Sequence, residues 1–499
     1  MDRNGRAADM LVQLAMAAGP WTRLLLVASS LSMSLVMWIM LRETIRSILG
    51  TVGRAADFLV ALVAFGIPMT LVSADPKRLG GRTLLFVSAN FGYATGFALA
   101  LGSVVLLWKG SSREPEERSR VLWTGAILGC FAGLFHELNS FGLLGAIVAL
   151  AVVRRKNLRS PSVGAALAVT VVFNVARMAL PGLWSRNTKM RPPFPLPENT
   201  GQLETIAPFA VHFAVHAVTH YSMVYWAATV AVVSLSVLAA RKGVHRRSVL
   251  VVLTIFCAAS LGLWVMSNRI MTVLALRKTH GSWPLYVSTT GHTTALLVGL
   301  LLVATPILAI LISDLQGTSG AVVSLGLAMG YHVLVILRGT SGGRTLFMPL
   351  LATLLAAAVS ALVLVCLELT TNGGGGADPC REGTDAEATA SVGLPLDQRR
   401  GVGLGAAVVA AFFIGSCCVG PGVNGANDMV AATSLNGSAW RGVERQISLA
   451  KAGGRSTVIL PSRLPAPGWL PDYAAARESA VERVRQFYDL PVTVAITRR

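Results

Sequence analysis

Long apolar runs recur along the chain from Trp21 to Val419, and short polar stretches, many of them basic, separate them. A helix crosses the hydrocarbon core of a bilayer with about 20 apolar residues, and most of the runs are close to this length. The runs are Trp21–Leu41, Phe58–Val72, Leu84–Trp108, Val121–Val153, Val163–Leu180, Ser222–Ala240, Ser248–Met266, Thr293–Ile312, Ala321–Leu337, Thr345–Leu367 and Gly403–Val419. The pattern predicts an all-α polytopic membrane protein with about 11–12 transmembrane helices.

Composition supports the membrane class. Of the 499 residues, 53% are hydrophobic and only 13% are charged, whereas about 25% of the residues in soluble domains are charged. The net charge of +19 would suggest nucleic-acid binding in a soluble protein. In a membrane protein the same excess is typical of cytoplasmic loops. We therefore expect membrane lipids as partners, no nucleic acid, and a location in the plasma membrane; the composition sets no oligomeric state.

Basic clusters predict the orientation. They are Arg42/Arg46/Arg54, Lys109/Arg113/Arg118/Arg120, Arg154/Arg155/Lys156/Arg159 and Arg241/Lys242/Arg246/Arg247. The positive-inside rule assigns all four clusters to the cytoplasm. They lie on one side only if Val121–Val153 crosses twice, with a turn at His136–Ser140. The segments then expected outside are Ser73–Thr83, His136–Ser140, Pro181–Tyr221, Asn268–His292, Arg338–Arg344 and the tail from Gly420. Met1 is also expected outside.

The chain divides into three expected parts. Residues 1–20 form an amphipathic segment, residues 21–419 the transmembrane domain, and residues 420–499 a small extracytoplasmic α/β appendage. Within the transmembrane domain, the Gly-rich stretch 369–402 is typical of a disordered linker. The helical and strand patterns in the appendage are Trp440–Ala452, Ser456–Leu460, Tyr473–Tyr488 and Val492–Ile496.

The polar turn His136–Ser140 is the first candidate site. An ionisable side chain within a membrane run is costly and usually faces a cavity or a partner, which singles out Glu137. One interpretation is an outward-facing acid that binds a cation, a sugar hydroxyl or a proton, with His136 and Asn139 in the same pocket. The other is a structural turn in which Asn139 and Ser140 cap the second helix. Both interpretations stay open.

Arginines near the expected outer surface are candidates for binding phosphate. The turn from Arg338 to Arg344 contains three glycines, which let backbone N–H groups approach an anion, and arginine suits bidentate phosphate contacts. The alternative is an arginine that reaches the interface from a helix end. The loop Ser73–Thr83 also contains Asp75, and its basic residues Lys77, Arg78 and Arg82 with two glycines could bind a phosphate. The alternative is an ordinary solvated loop.

Other polar residues complete the expected pocket. Asn90 and Tyr93 follow on the next helix, near its outer end. His212, His216 and His220 recur every fourth residue and share a helix face. A catalytic metal needs a third ligand, so a polar stripe at the membrane interface, anchored by aromatic residues such as Tyr225 and Trp226, is the favoured interpretation.

Several short motifs occur in a particular order along the chain. They are Asn4–Arg6, Gly81–Arg82, Gly133 with His136–Glu137, Arg344, and a tail with Arg441, Ile447, Ala450–Lys451, Val458–Pro461 and Tyr488. In these motifs the chain resembles the bacterial multi-pass membrane proteins grouped with GT-C-type glycosyltransferases. The resemblance covers most of the chain. Asn4–Arg6 sits where such proteins have completed a first helix and an acidic first outer loop, so the resemblance implies that both are missing here.

The resemblance implies an activity. The donor would be a sugar on a polyprenyl phosphate, and transfer to a cell-envelope acceptor would occur at the extracytoplasmic face. Glu137 or Asp75 would act as the base, and Arg82, Arg338 and Arg344 would hold the phosphate. A divalent cation is the one cofactor that such enzymes suggest. Loss of the acidic first loop would leave an inactive relative.

Two other functions are compatible with the sequence. The first is a transporter or flippase for a lipid or an anionic solute, in which Glu137 is a proton or ion site; no internal repeat of the kind common in transporters is evident. The second is a non-catalytic membrane scaffold that uses its tail as a binding module.

Overall fold

The computed structural model of the chain describes residues 21–74, 90–112, 115–179, 210, 213, 221–276, 289–338, 343–373, 420–460, 485 and 490–498. Within these residues, eight helices are long and apolar enough to cross a membrane, and a further apolar helix, Glu137–Val153, is shorter. The chain is therefore a multi-pass helical membrane protein. The amphipathic segment 1–20 and the run Gly403–Val419 lie outside the described residues.

Twelve α-helices follow one another along the described residues. In the first half they are α1 (Trp21–Leu49), α2 (Arg54–Ala74), a π-helical turn (Asn90–Thr95) that continues into α3 (Gly96–Gly110), α4 (Pro115–Phe135), α5 (Glu137–Val153), a 3-10 turn (Asn157–Arg159) and α6 (Pro161–Ala179). In the second half they are α7 (Ser222–Arg241), α8 (Arg246–Leu276), α9 (Thr289–Ile312), α10 (Ser319–Arg338), a 3-10 turn (Gly343–Leu346), α11 (Phe347–Gly373) and α12 (Gly420–Lys451). α4 begins at Pro115 and α6 begins at Pro161. Proline has no backbone N–H, but at the first position of a helix that N–H would have no partner within the helix.

Three helices extend past the apolar runs that predicted them. α1 continues to Leu49, and α8 continues to Leu276, well into the expected outer loop Asn268–His292. α11 continues to Gly373, so the first residues of the expected linker 369–402 are helical, and the rest of that stretch lies outside the described residues.

The centre of the bundle is α11. Of its spanning part, Phe347–Glu368, 89% is buried, compared with 28% for Pro161–Ala179 of α6. α11 packs against α1, α7 and α10. A helix that is apolar all round belongs in the interior, which explains why the run Thr345–Leu367 has almost no polar residues.

α5 and α10 pack most closely, because glycines bring their backbones together. A Cβ atom built on Gly145 or Gly330 would collide with the backbone of the opposite helix, and one built on Gly326 would lie 2.6 Å from Gly145 O. Small residues spaced four apart, as Gly326 and Gly330 are, allow this kind of approach in membrane helices. The contact fixes α5, and with it Glu137, against α10.

Charged side chains connect the turns at one end of the bundle. Asp314, in the turn between α9 and α10, accepts from Arg155 at 3.1 Å and lies 2.8 Å from Nε2 of His245. These contacts join the α5–α6, α7–α8 and α9–α10 connections. We call this the basic end.

The two earlier connections lie at the basic end as well. Lys109 at the end of α3 lies 2.7 Å from Glu43 of α1, and Asn157 Nδ2 donates to Ser111 O at 2.6 Å. The four predicted basic clusters therefore lie on the same side of the bundle. The run Val121–Val153 is divided into two helices, α4 and α5, as this arrangement requires; that both cross the membrane stays a prediction. The opposite end, which carries the α4–α5 junction, is called the Glu137 end.

The tail contains a helix and a small sheet. α12 packs along α2, and β1 (Thr457–Leu460) pairs in parallel with β2 (Ala495–Arg498). The buried residues of this region form a cluster apart from the main core: Val443, Ile447, Ala450, Val458, Leu460, Leu490 and Val494. Residues 461–484 lie outside the described part, so the appendage as a domain stays a prediction.

Candidate functional site

The α4–α5 junction is a helix break at a single residue. His136 is extended (φ −156°, ψ 140°), and its Nδ1 accepts a hydrogen bond from the Leu138 N–H at 3.1 Å. The imidazole therefore caps α5 by satisfying one of the N–H groups that a helix start leaves without a partner. Asn139 and Ser140, expected as caps, instead lie in the first turn of α5. The reason is that His136 already occupies the position before the first turn.

Glu137 begins α5 and is buried. Its side chain is 2% exposed, and Oε2 lies 3.6 Å from Nδ1 of His136. The acid is thus enclosed by the bundle rather than open to the outside, which differs from the outward-facing acid that we expected. A carboxylate is stable in such a place only with polar or cationic partners, so its surroundings decide what it can do.

The protonation of His136 is coupled to the cap. While Nδ1 accepts from the Leu138 N–H, it must carry a lone pair, and the proton of the neutral ring is on Nε2. At 3.6 Å the Glu137 oxygen is outside hydrogen-bond distance of Nδ1. A proton on Nδ1 would break the cap and create a donor that faces Glu137. The cap and an Nδ1–carboxylate hydrogen bond are therefore alternatives.

Tyr93 and Asn90 extend the site toward α1. The rings of Tyr93 and His136 lie 4.7 Å apart at an angle of 37°, and Asn90 Nδ2 donates to Ser30 Oγ at 2.9 Å. Both residues lie on the π-helical turn before α3, a geometry that is frequent at functional sites. The structure thus brings together Tyr93, His136 and Glu137, three of the residues predicted for the site, and it places Asn90 in a neighbouring contact.

Asn139 connects three helices. Its Nδ2 donates to Ala132 O on α4 at 3.1 Å, and its Oδ1 accepts from the Tyr331 hydroxyl on α10 at 3.0 Å. A Cβ atom at Gly96 of α3 would collide with the amide, which itself is fully buried. Asn139 therefore holds the helices around Glu137 in place instead of lining an open pocket.

A polar niche that no sequence pattern predicted lies between α4, α5 and α6. Ser140 Oγ and Asn174 Oδ1 are buried and have no hydrogen-bond partner among the described residues. A Cβ atom on Gly133 would collide with Asn174 Oδ1 and lie 3.0 Å from Ser140 Oγ. Buried polar atoms of this kind commonly hold an ordered water molecule. A polar residue in the middle of the run Val163–Leu180 was the only local signal for Asn174.

The predicted phosphate ligands are only partly placed. Asp75 and Arg82 lie outside the described residues. The backbones of Arg338 and Arg344 lie at the end of α10 and in the 3-10 turn before α11, and their side chains lie outside the described part. Arg338 follows Tyr331 by seven residues on α10, which places its backbone about 10 Å farther along the axis. Both arginines therefore belong to the Glu137 end.

No cation site can be assembled from the described residues, among which no group of three or more His, Cys, Asp or Glu side chains could hold a metal. The His212, His216 and His220 stripe lies outside them. A divalent cation therefore stays a prediction. Comparison of the chain with protein-family models, with curated protein sequences and with solved structures finds no match in any of the three.

Proposed function

We propose that the protein is a membrane glycosyltransferase that uses a polyprenyl-phosphate sugar and acts at the Glu137 end of the bundle. The observation that carries the proposal is a buried carboxylate, 2% exposed, beside an imidazole at 3.6 Å in the interior of a membrane-spanning bundle. Ionisable groups in such positions are costly and are retained mainly for function. The resemblance to GT-C-type enzymes supplies the class of reaction.

In this mechanism an acceptor hydroxyl attacks the anomeric carbon of the donor sugar. The bond from that carbon to the phosphate oxygen breaks, and the phosphate leaves with the electron pair. Glu137 takes the hydroxyl proton as general base, with Asp75 as the alternative base. Arg82, Arg338 and Arg344 stabilise the negative charge that develops on the phosphate.

His136 has a positioning role in this scheme. The hydrogen bond from the Leu138 N–H fixes the imidazole against Tyr93, and Asn139 fixes the start of α5 through α4 and α10. Both contacts hold the Glu137 carboxylate at one place. A general base must be within hydrogen-bond reach of the proton that it abstracts, so rigid placement favours the reaction.

The location and orientation belong to the proposal as well. The basic end faces the cytoplasm by the positive-inside rule, the Glu137 end faces outward across the plasma membrane, and the acceptor is part of the cell envelope. Residues 420–499 form an α/β appendage on the outer side. The clustered side chains of α12, β1 and β2 support a packed unit there.

The test is sugar transfer in proteoliposomes. Purified full-length protein is incubated with radiolabelled polyprenyl-phosphate sugars as donors and with envelope glycans as acceptors. Glu137→Gln is expected to reduce transfer by about 10²–10⁴-fold, the contribution of a general base. Glu43→Gln is the matched control, because Glu43 is a carboxylate at the opposite end that pairs with Lys109, and it is expected to leave transfer unchanged. Full transfer by Glu137→Gln would exclude the proposed base.

Proton-coupled transport is the second candidate, favoured by the burial of Glu137 itself. Carboxylate and imidazole groups buried together form proton relays in many pumps and transporters. In that case the proteoliposomes would move the labelled lipid or an anionic solute across the bilayer without forming a covalent product. Glu137→Gln would abolish the dependence of that movement on a pH gradient, and no sugar would appear on any acceptor.

A further inference from the structure

A second site lies on the other side of α10 from Glu137. It is a cavity of about 190 Å³ between α7, α8, α9, α10 and α11. Its walls are mostly aromatic and aliphatic, and they include Phe256, Val298 and Met329. Trp226 and Trp264 line the cavity and are 42% and 44% exposed. The cavity therefore opens on the surface of the bundle between α7 and α8.

A hydrogen-bonded pair lies in the wall of this cavity. Tyr225 Oη lies 3.0 Å from Nε2 of His332, and Nδ1 of His332 lies 2.7 Å from Ala328 O. A carbonyl oxygen only accepts, so Nδ1 carries a proton. In the neutral ring Nε2 then accepts from Tyr225, and the Tyr225 oxygen keeps its lone pairs for another donor. Phe213 packs edge-on against the His332 ring at 5.5 Å.

The cavity extends from the Glu137 end to about the middle of the membrane. On α7 its lining begins at Ser222, the first residue of the helix, and reaches Val232. Ten residues of helix span about 15 Å, which is half of the roughly 30 Å hydrocarbon core. On α8 the lining includes Phe256, ten residues from the basic end of that helix. Tyr225 lies in the first turn of α7, close to the depth of lipid headgroups.

The mouth of the cavity faces hydrocarbon. The spanning parts of α8 and α9 beside it have mean hydropathies of 2.5 and 2.8, so the medium around Trp264 is the lipid chains of the bilayer. Atoms that line an empty cavity lack dispersion contacts on the open side, and an apolar lining does not retain water. The neighbour that can fill it is a lipid chain from the same leaflet.

We propose that this cavity binds one phospholipid of the leaflet at the Glu137 end. One acyl chain lies between α7 and α8 and reaches the middle of the bundle. A hydroxyl of the headgroup donates to Tyr225 Oη, which His332 orients. The site is separate from Glu137: on α10, Tyr331 faces Asn139, whereas the next residue, His332, faces the cavity. The assignment does not depend on the glycosyltransferase proposal.

The experiment uses full-length protein in vesicles of phosphatidylethanolamine and phosphatidylglycerol. The probe is phosphatidylglycerol with a diazirine in the middle of one acyl chain. After illumination, mass spectrometry is expected to find the label concentrated on Phe256, Trp264 and Met329. Excess unlabelled phosphatidylglycerol should displace it from these residues.

Two substitutions on α7 form a matched pair. Ala228 lines the cavity, so Ala228→Phe fills it and is expected to reduce labelling of its walls by about tenfold. Val230 is 38% exposed on the lipid-facing side of the same helix and is not part of the lining, so Val230→Phe should leave labelling unchanged. Equal labelling in Ala228→Phe and wild type would overturn the site. Equal loss in both variants would overturn it too, because the loss would then come from the fold.

The hydroxyl contact has its own test. A phosphatidylcholine probe has no donor in its headgroup, so wild type should label more weakly with it than with phosphatidylglycerol. Tyr225→Phe should label equally with the two probes while keeping the chain position. Equal labelling of the wild-type protein by the phosphatidylglycerol and phosphatidylcholine probes would contradict the Tyr225 contact. Displacement by polyprenyl phosphate but not by phospholipid would also overturn the assignment and make the cavity a site for a prenyl chain.

Discussion

Gly330→Ala is the sharpest test of how the bundle is held together. A Cβ atom at this position would collide with Phe141 O and lie 3.0 Å from Gly142 Cα on α5. Because both contacts are backbone, they cannot rotate away, and α5 and α10 must separate. Inserting a methyl group into a packed interior costs about 1–3 kcal/mol. The neighbouring Tyr331–Asn139 hydrogen bond would be lost as well, which costs about 0.6 kcal/mol in membrane proteins.

The gain in helix propensity opposes this loss. Alanine favours a helix over glycine by about 1 kcal/mol, so we expect Gly330→Ala to lower the free energy of unfolding by about 0.6–2.6 kcal/mol. The matched control is Gly299→Ala on α9, where a Cβ atom meets nothing within 4 Å. It should leave stability unchanged or raise it. The measurement is unfolding of purified protein in mixed micelles, followed by circular dichroism.

A double-mutant cycle separates the two contributions. Tyr331→Phe should cost less in the Gly330→Ala background than in wild type, since the hydrogen bond to Asn139 is already broken there. Contacting residues typically show coupling of at least about 0.5 kcal/mol. If Gly330→Ala is as stable as Gly299→Ala, or if the two substitutions are additive, the close approach of α5 and α10 is not what positions Asn139.

Two further predictions concern other contacts. The hydrogen bond from His245 holds the pKa of Asp314 below its ordinary value, so the stability that Asp314 adds is present above about pH 4 and is lost as the pH falls through its lowered pKa. Asp314 is exposed, so Asp314→Asn should lower the free energy of unfolding by less than about 1 kcal/mol at pH 7. The unfolding curves of wild type and Asp314→Asn should converge in acid. A difference in stability that persists at pH 2 would contradict this dependence on the Asp314 pKa. Gly133→Ala should destabilise the protein by about 1–3 kcal/mol, because the new methyl group collides with Asn174. In thermal unfolding its Tm should lie below that of Gly299→Ala. Equal Tm values for the two variants would show that the niche can expand to hold the methyl group.

The sequence was sufficient for the features that depend on local pattern. Apolar runs located α1 to α11, whereas only the last part of α12, from Trp440, was predicted. The requirement that all basic clusters share one side placed a break inside Val121–Val153. The helix contact at Gly326 and Gly330 also had a local signal, two glycines four residues apart in an apolar run, although that spacing does not identify the partner helix.

Contacts between distant residues could not be predicted in the same way. Tyr331 and Asn139 are 192 residues apart, and no pattern near either residue indicates the other. In one of the two interpretations of the turn, Asn139 and Ser140 capped α5 because these residue types are common caps, whereas His136 performs that role. The sequence singled out Glu137 as an acid in an apolar run, but whether its side chain is enclosed or open to the outside depends on packing between helices, which the sequence around the turn does not specify.

The separation of Asn139 from Tyr331 has a consequence for how the protein is made. Ribosomes add about 5–20 residues per second, so the 192 residues between these partners take roughly 10–40 s to synthesise. During that time α5 is present without the helix that covers Asn139, and the central helix α11 has not yet emerged. The Asn139 amide therefore lacks its Tyr331 partner until the later half has been made. Codon changes that slow translation between α6 and α10 would lengthen that interval without altering a single residue.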